Sequence, residues 1–214
     1  MSQWEVFNLD ETFEAQLKQI VKPLLERGRP GDWEHTLRAV EYAKYLLQHE
    51  KGEEEIVILT LYLHDIGLSK VHLNDYMHAP LAQKRWTEST SLHMKHGAVL
   101  AKEILEKLSY NSNLSRRIIS IIAIHDEPEK IFRREDSSAI LVVEADRLDR
   151  YGPESLRRYS AMFGPGFLRS GHTKEAISYL RHGLKIWFKT PTAKALGEKL
   201  ARDQGLFDSD ETGS

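Results

Sequence analysis

The sequence predicts an all-α chain folded as a single-domain helical bundle. Three observations predict it. Apolar residues recur at helical spacing along nearly the whole chain, and no stretch alternates apolar with polar as a half-buried strand requires. The 214 residues suffice for one core of ordinary size but not comfortably for two.

A first helix is expected from Glu11 to Arg27, ended by Gly28-Arg29-Pro30-Gly31, where glycine frees the backbone and proline cannot continue the ladder. Asp32 then caps a second, Trp33 to His49, whose His35, Ala39, Tyr42 and Leu46 share one stripe. The third, Glu54 to Ile66, is apolar on nearly every side, the mark of a helix at the centre of a bundle. Gly67 is expected to close it in the left-handed conformation, which puts His64 and Asp65 in its last turn.

From Leu68 to Leu92 the periodicity lapses into a segment longer than an ordinary connection, of the kind that forms a lid or stays disordered. Helices resume at His93 to Leu108, with His96, Leu100, Ile104 and Leu108 stacked four apart, and again at Leu114 to Asp126, where His125 closes the apolar face. A helix from Ser137 to Arg150 carries Asp146 on the stripe of Ala139, Val142 and Val143. Packing helices are expected near Pro153 to Met162, Thr173 to Phe188 and Pro191 to Gly205, and the acidic tail 208–214 is expected to be disordered. The chain thus reads as an N-terminal helix (1–31), a core (32–152) and C-terminal helices (153–207) of one domain, then the tail.

Composition narrows the function. The net charge is −2 with the two signs interspersed, so no long-range field recruits a nucleic-acid polymer or an anionic membrane. With no cysteine, disulfide frameworks, thiolate metal sites and cysteine nucleophiles are excluded together, and histidine and carboxylate must carry any metal. Neither an apolar leader nor an eighteen-residue apolar run is present, and a cytoplasmic setting is expected.

Five helices aim His35, His64 with Asp65, His96, His125 and Asp146 inward from apolar faces, although none of these groups buries cheaply alone. A divalent cation is the partner that wants both carboxylates and neutral imidazoles, so these six are the candidate metal ligands. His93, three residues before His96, is a rival, and His96 is preferred because it continues the Leu100-Ile104 stripe. His49, His72, His78, His172 and His182 have no comparable setting and read as solvated or structural. Asp126 and Glu127 read equally well as carboxylates orienting a ligand or as surface charge, and the Arg116-Arg117 and Arg157-Arg158 pairs as solvated faces.

His35, then His64-Asp65 within Leu-His-Asp-Ile-Gly, then Asp146 within Val-Glu-Ala-Asp-Arg-Leu-Asp, resembles the ordered signature of the HD superfamily from about Asp32 to Tyr151. The resemblance implies a helical bundle of the HD-domain type and a metal-dependent phosphohydrolase acting on a small phosphorylated substrate. His96, followed by Gly97-Ala98, and His125 stand where the binuclear branch has two further histidines. This implies one ion on His35, His64, Asp65 and Asp146 and another on Asp65, His96 and His125. The mixed donors favour Mn, Fe, Co, Ni or Zn over Ca and Mg, with Mg as the remaining option.

Departures from the family's patterns bear on the rest. Members whose motif continues His-Asp-Ile-Gly-Lys place a lysine directly after the glycine, whereas here Leu68 stands there and Lys70, two residues on, is the candidate proton-transfer group beside Asp65. Arg38 and Arg147 are candidate phosphate-binding forks. No Gly-Tyr-Pro follows His125, which argues against a cyclic-dinucleotide phosphodiesterase of the HD-GYP type. The same ligand order is also similar to that of myo-inositol oxygenase and its relatives, so a di-iron oxygenase is the first alternative and a non-catalytic nucleotide-binding regulatory module the second.

Overall fold

A computed structural model of the chain describes residues 11–72, 88–155, 157–158 and 172–206. Among these residues every regular element is helical. They are α1 (Glu11–Leu25), α2 (Asp32–Leu47), α3 (Glu54–Leu63), a 3-10 turn (Ile66–Lys70), α4 (Glu88–Lys107), α5 (Ser112–Ile122), α6 (Pro128–Arg134), α7 (Ser137–Leu148), α8 (His172–Ile186) and α9 (Pro191–Asp203). None of the described helices is long and apolar enough to cross a membrane.

Two helices form the centre. In α3 every residue from Ile56 to Leu63 is buried, and in α7 every residue from Ser138 to Leu148. Such all-round burial requires neighbours on all sides: α2 packs on both, α5 and α1 cover α3, and α9 and α6 cover α7. Hydrophobic side chains from α1 through α9 join one continuous core.

Polar side chains fix the ends of the elements. Asn111 accepts from the backbone amides of Asn113 and Leu114 at the start of α5, Asp136 from Ala139 at the start of α7, and Thr190 from Ala193 at the start of α9. Glu144, fully buried on α7, accepts from the amides of Lys189 and Thr190 and from the Thr190 hydroxyl at 2.6–2.7 Å, which ties the entry of α9 to the central helix.

The end of α3 departs from expectation. The helix stops at Leu63, His64 is its last αR residue and Asp65 takes φ −101°, ψ 1° as the chain tightens into the 3-10 turn. Gly67 is not left-handed. Its necessity is steric instead, because a Cβ there would lie 2.0 Å from the His93 carbonyl oxygen and 2.4 Å from the Gly97 amide nitrogen of α4. The missing side chain lets the turn that carries Asp65 press against α4 backbone to backbone.

Helix α1 ends two residues earlier than expected and α4 begins at Glu88, five residues before the expected start. Helix α6 was not foreseen; Pro128 at its first position opens it after the histidine-bearing segment. The proposed lid lies largely, the Pro153–Met162 helix in part and the tail wholly outside the described residues.

Candidate metal centre

Four imidazoles and two carboxylates from five separate helical segments meet inside the bundle: His35 of α2, His64 and Asp65 after α3, His93 of α4, His125 just beyond α5, and Asp146 of α7. Each is at most 6% exposed. The rings stand in succession, His35 to His64, His64 to His125 and His125 to His93, with centroids 5.1–5.6 Å apart and edges turned to faces.

Their orientation is set from behind. The Nδ1–H of His64 donates to the Leu61 carbonyl (2.7 Å), that of His125 to Ile122 (2.8 Å) and that of His35 to the Asp149 carboxylate (2.7 Å). With Nδ1 bonded outward, each ring turns its Nε2 to the interior. Those nitrogens face carboxylate oxygens. The His35 Nε2 lies 3.0 Å from Asp146 Oδ1, and the His64 Nε2 lies 3.3 Å from Asp65 Oδ2 and 3.8 Å from Asp146 Oδ1.

The two oxygens of Asp65 serve different halves of the cluster. Oδ2 faces the Nε2 atoms of His64 and, at 3.9 Å, His35, whereas Oδ1 faces those of His125 (3.6 Å) and His93 (3.7 Å). Asp126, partly exposed, closes the second half with Oδ2 3.5 Å from His93 Nε2. Three overlapping groups each bring one donor atom per residue within 4.8 Å of the others: His35, His64, Asp146; His64, Asp65, His125; and His93, His125, Asp126.

Compared with known families, the chain matches the HD domain over residues 32–151, more than half its length. It belongs to the HD domain family. Its fold is similar to the crystal structure, at 1.45 Å resolution, of a predicted HD superfamily hydrolase from an uncultured Thermotogales bacterium, with a TM-score of 0.57 and 20% identity over 92% of this chain and 93% of that one. No protein of curated function matches.

The HD centre as it stands asks for cations. The Nε2 atoms of His93 and His125 lie 3.3 Å apart, while His64 Nε2 and His93 Nδ1 have no hydrogen-bond partner among the described residues. Carboxylates and imidazoles crowded into a dry site need positive charge among them. The electrostatics agree. Burial opposes charging His64, but Asp65 and Asp146 outweigh it and push the imidazole up to about 9. Burial and the adjoining His125 push His93 down to about 4, so it stays neutral and keeps a lone pair. Burial would raise Asp65, yet the Arg29 guanidinium and His64 beside it hold its carboxyl well below the usual range. These donors fit a divalent metal: deprotonated carboxylates, imidazoles whose Nε2 a cation can take in place of a proton, and carbonyl and carboxylate acceptors that fix three of the four rings.

Of the residues singled out in the sequence, His35, His64, Asp65, His125 and Asp146 come together. His96 does not. It is exposed on α4, and the buried face of that helix runs through His93, Gly97, Ala101 and Leu105. The stripe through His96 and Leu100 is not the buried one, because small residues, Gly97 and Ala101, form part of the buried face. Lys70 is also corrected: it is exposed at the far end of the 3-10 turn, three residues beyond the Gly67 contact, and no described contact joins it to the cluster.

Arg38 and Arg147 are near the centre, and their guanidinium groups face protein carboxylates. Arg38 binds both oxygens of Asp149 (2.6 and 3.0 Å). Arg147, 4% exposed, lies between Asp126 (2.6 Å) and Asp146 (3.0 Å) against the Trp187 ring. Arg158, read as part of a solvated face, instead reaches Asp32 at 2.6 Å. Sequence reasoning missed Asp149 and Arg29. Asp149 had a signal, since it stands one turn after Asp146 on the same buried helix end; Arg29 had none, because it sits in a turn where periodicity says nothing. His49, His72 and His182 are exposed, as expected, and His78 lies outside the described residues.

Proposed function

We propose that this HD protein is a metal-dependent phosphohydrolase that acts on a small phosphoester, a nucleotide or related phosphate compound, at a two-ion centre. The observation that carries the reading is the division of Asp65: one oxygen faces His35 and His64, the other His93 and His125. His35, His64, Asp65 and Asp146 would hold one ion, and Asp65, His93 and His125, flanked by Asp126, the other. Bound there, a pair of divalent ions supplies an activated water and neutralises charge on a phosphoryl group.

The chain's own residues supply orientation and dryness. Leu61, Ile122 and Asp149 hold three rings in the tautomer that leaves Nε2 open, and Arg147 keeps the Asp126 and Asp146 carboxylates apart in fixed positions. The burial of all six ligating groups strengthens every charge interaction inside the site.

The test is to strip the protein, load it singly with Mn, Fe, Co, Ni, Zn or Mg, and follow phosphate release from a panel of phosphorylated metabolites. At least one metal is expected to support turnover that Asp65→Ala abolishes. Oxygen consumption by the iron-loaded protein without phosphate release under any metal would replace this reading with the oxygenase one.

A further inference from the structure

Among the described residues Arg29 is the one arginine or lysine in direct contact with the central carboxylate, and no residue pattern announced it. Its stem is fixed. The backbone amide of Arg29 donates to Asp32 Oδ2 (2.7 Å) and its Nε to Asp32 Oδ1 (3.0 Å), while Asp32, 1% exposed, is itself braced by Arg158. Only the terminal part of the guanidinium reaches forward, and its Nη2 donates to Asp65 Oδ2.

That oxygen is the one that faces the Nε2 atoms of His35 and His64. A cation held by those nitrogens and Asp65 therefore shares its oxygen with the guanidinium. Two positive groups on one carboxylate oxygen, in a site where Asp65 is 3% and Arg29 9% exposed, repel with little screening. Arg38 and Arg147 face no such conflict, since they bind Asp149 and the outer oxygens of Asp126 and Asp146. A guanidinium anchored at its base and displaced at its tip has one favourable use beside a metal-bound phosphoester, which is to donate its planar fork to phosphoryl oxygens.

We propose, building on the two-ion reading, that Arg29 is a resident counter-cation: it balances Asp65 in the metal-free protein, yields that oxygen to a divalent ion, and then binds the phosphoryl group of the substrate. Metal loading and phosphate binding are thereby coupled through one side chain, with opposite signs for its removal.

The experiment is calorimetry on the full chain and on Arg29→Met and Arg29→Lys, first with Mn²⁺ alone and then with inorganic phosphate added to the Mn-saturated protein. For Arg29→Met, Mn²⁺ affinity is expected to rise and phosphate affinity to fall, each by about tenfold or more, the scale of one charge-assisted hydrogen bond. Arg29→Lys, which keeps a charge but cannot span Asp32 and Asp65 together, should shift both affinities the same way by less, and it decides the matter if Arg29→Met does not fold. A merely structural Arg29 would weaken both affinities together, and that result, or no change in either, overturns the proposal. If the unaltered protein binds no Mn²⁺, the metal-centre reading itself fails and takes the proposal with it; if it binds Mn²⁺ and the variants match it, only the role of Arg29 fails.

Discussion

Asp149 gathers the His35 Nδ1–H, both donors of the Arg38 fork and, at 3.9 Å, the Arg158 guanidinium on one carboxylate that is 1% exposed. Burial works against its charge, but His35 and Arg38 prevail and hold it down to about 2. In the unfolded chain the same group titrates near 3.8. Its stabilising contribution in the metal-free protein is therefore complete above about pH 4 and is lost as the pH falls through 2, a loss of about 2 kcal/mol. Asp149→Asn should remove that acid limb from the pH–stability curve and weaken Mn²⁺ binding by roughly 10- to 100-fold, because the His35 ring loses its orienting charge. Unchanged Mn²⁺ affinity would mean that Asp149 does not position His35. At this scale the sequence showed which residue types must meet, since buried histidine and aspartate on apolar stripes are conspicuous. It did not show their supports: Asp149 was hidden in plain view in the same motif as Asp146, and Arg29 in a turn.

Elements explain why one histidine was placed correctly and another was not. His125 follows a helix with a clean apolar face, so its side could be read directly. On α4 the buried face is made partly of Gly97, where the 3-10 turn approaches closely, and Ala101, so the larger Leu100 marks the wrong side. The same approach makes Gly67 irreplaceable. In Gly67→Ala the added Cβ meets two backbone atoms of α4 at 2.0 and 2.4 Å, neither of which can rotate away, so the turn must part from the helix. We expect a loss of more than about 3 kcal/mol in thermal unfolding, with weakened metal binding because Asp65 moves relative to His93. A melting temperature equal to that of the unaltered protein would show that the close approach is not a feature of the fold.

Across the whole molecule, five helical segments far apart in sequence deliver one cluster, and the order of helices was legible because amphipathic periodicity survives without any knowledge of contacts. The long-range pairings of arginine and carboxylate were not, because a surface-like Arg-Arg pair looks the same whether it faces water or, as Arg158 does, a buried aspartate. The centre also ties metal binding to protons. With Asp65 and Asp146 keeping His64 protonated up to about pH 9 in the metal-free protein, an incoming ion must displace that proton. Mn²⁺ affinity should therefore climb as the pH rises from 6 to 9 and level off above, and calorimetry in buffers of different ionisation heat should detect the released proton; a pH-independent affinity would contradict the charge assignment.

The claim on which the rest depends is that His93, and not His96, completes a two-ion centre around Asp65. Metal content after Mn²⁺ loading and desalting, measured on the unaltered chain and on His93→Ala and His96→Ala, tests it most directly. The account predicts two ions per chain, a loss of one ion in His93→Ala and full retention in His96→Ala; an unaltered chain without metal, or the loss appearing in His96→Ala instead, would contradict it.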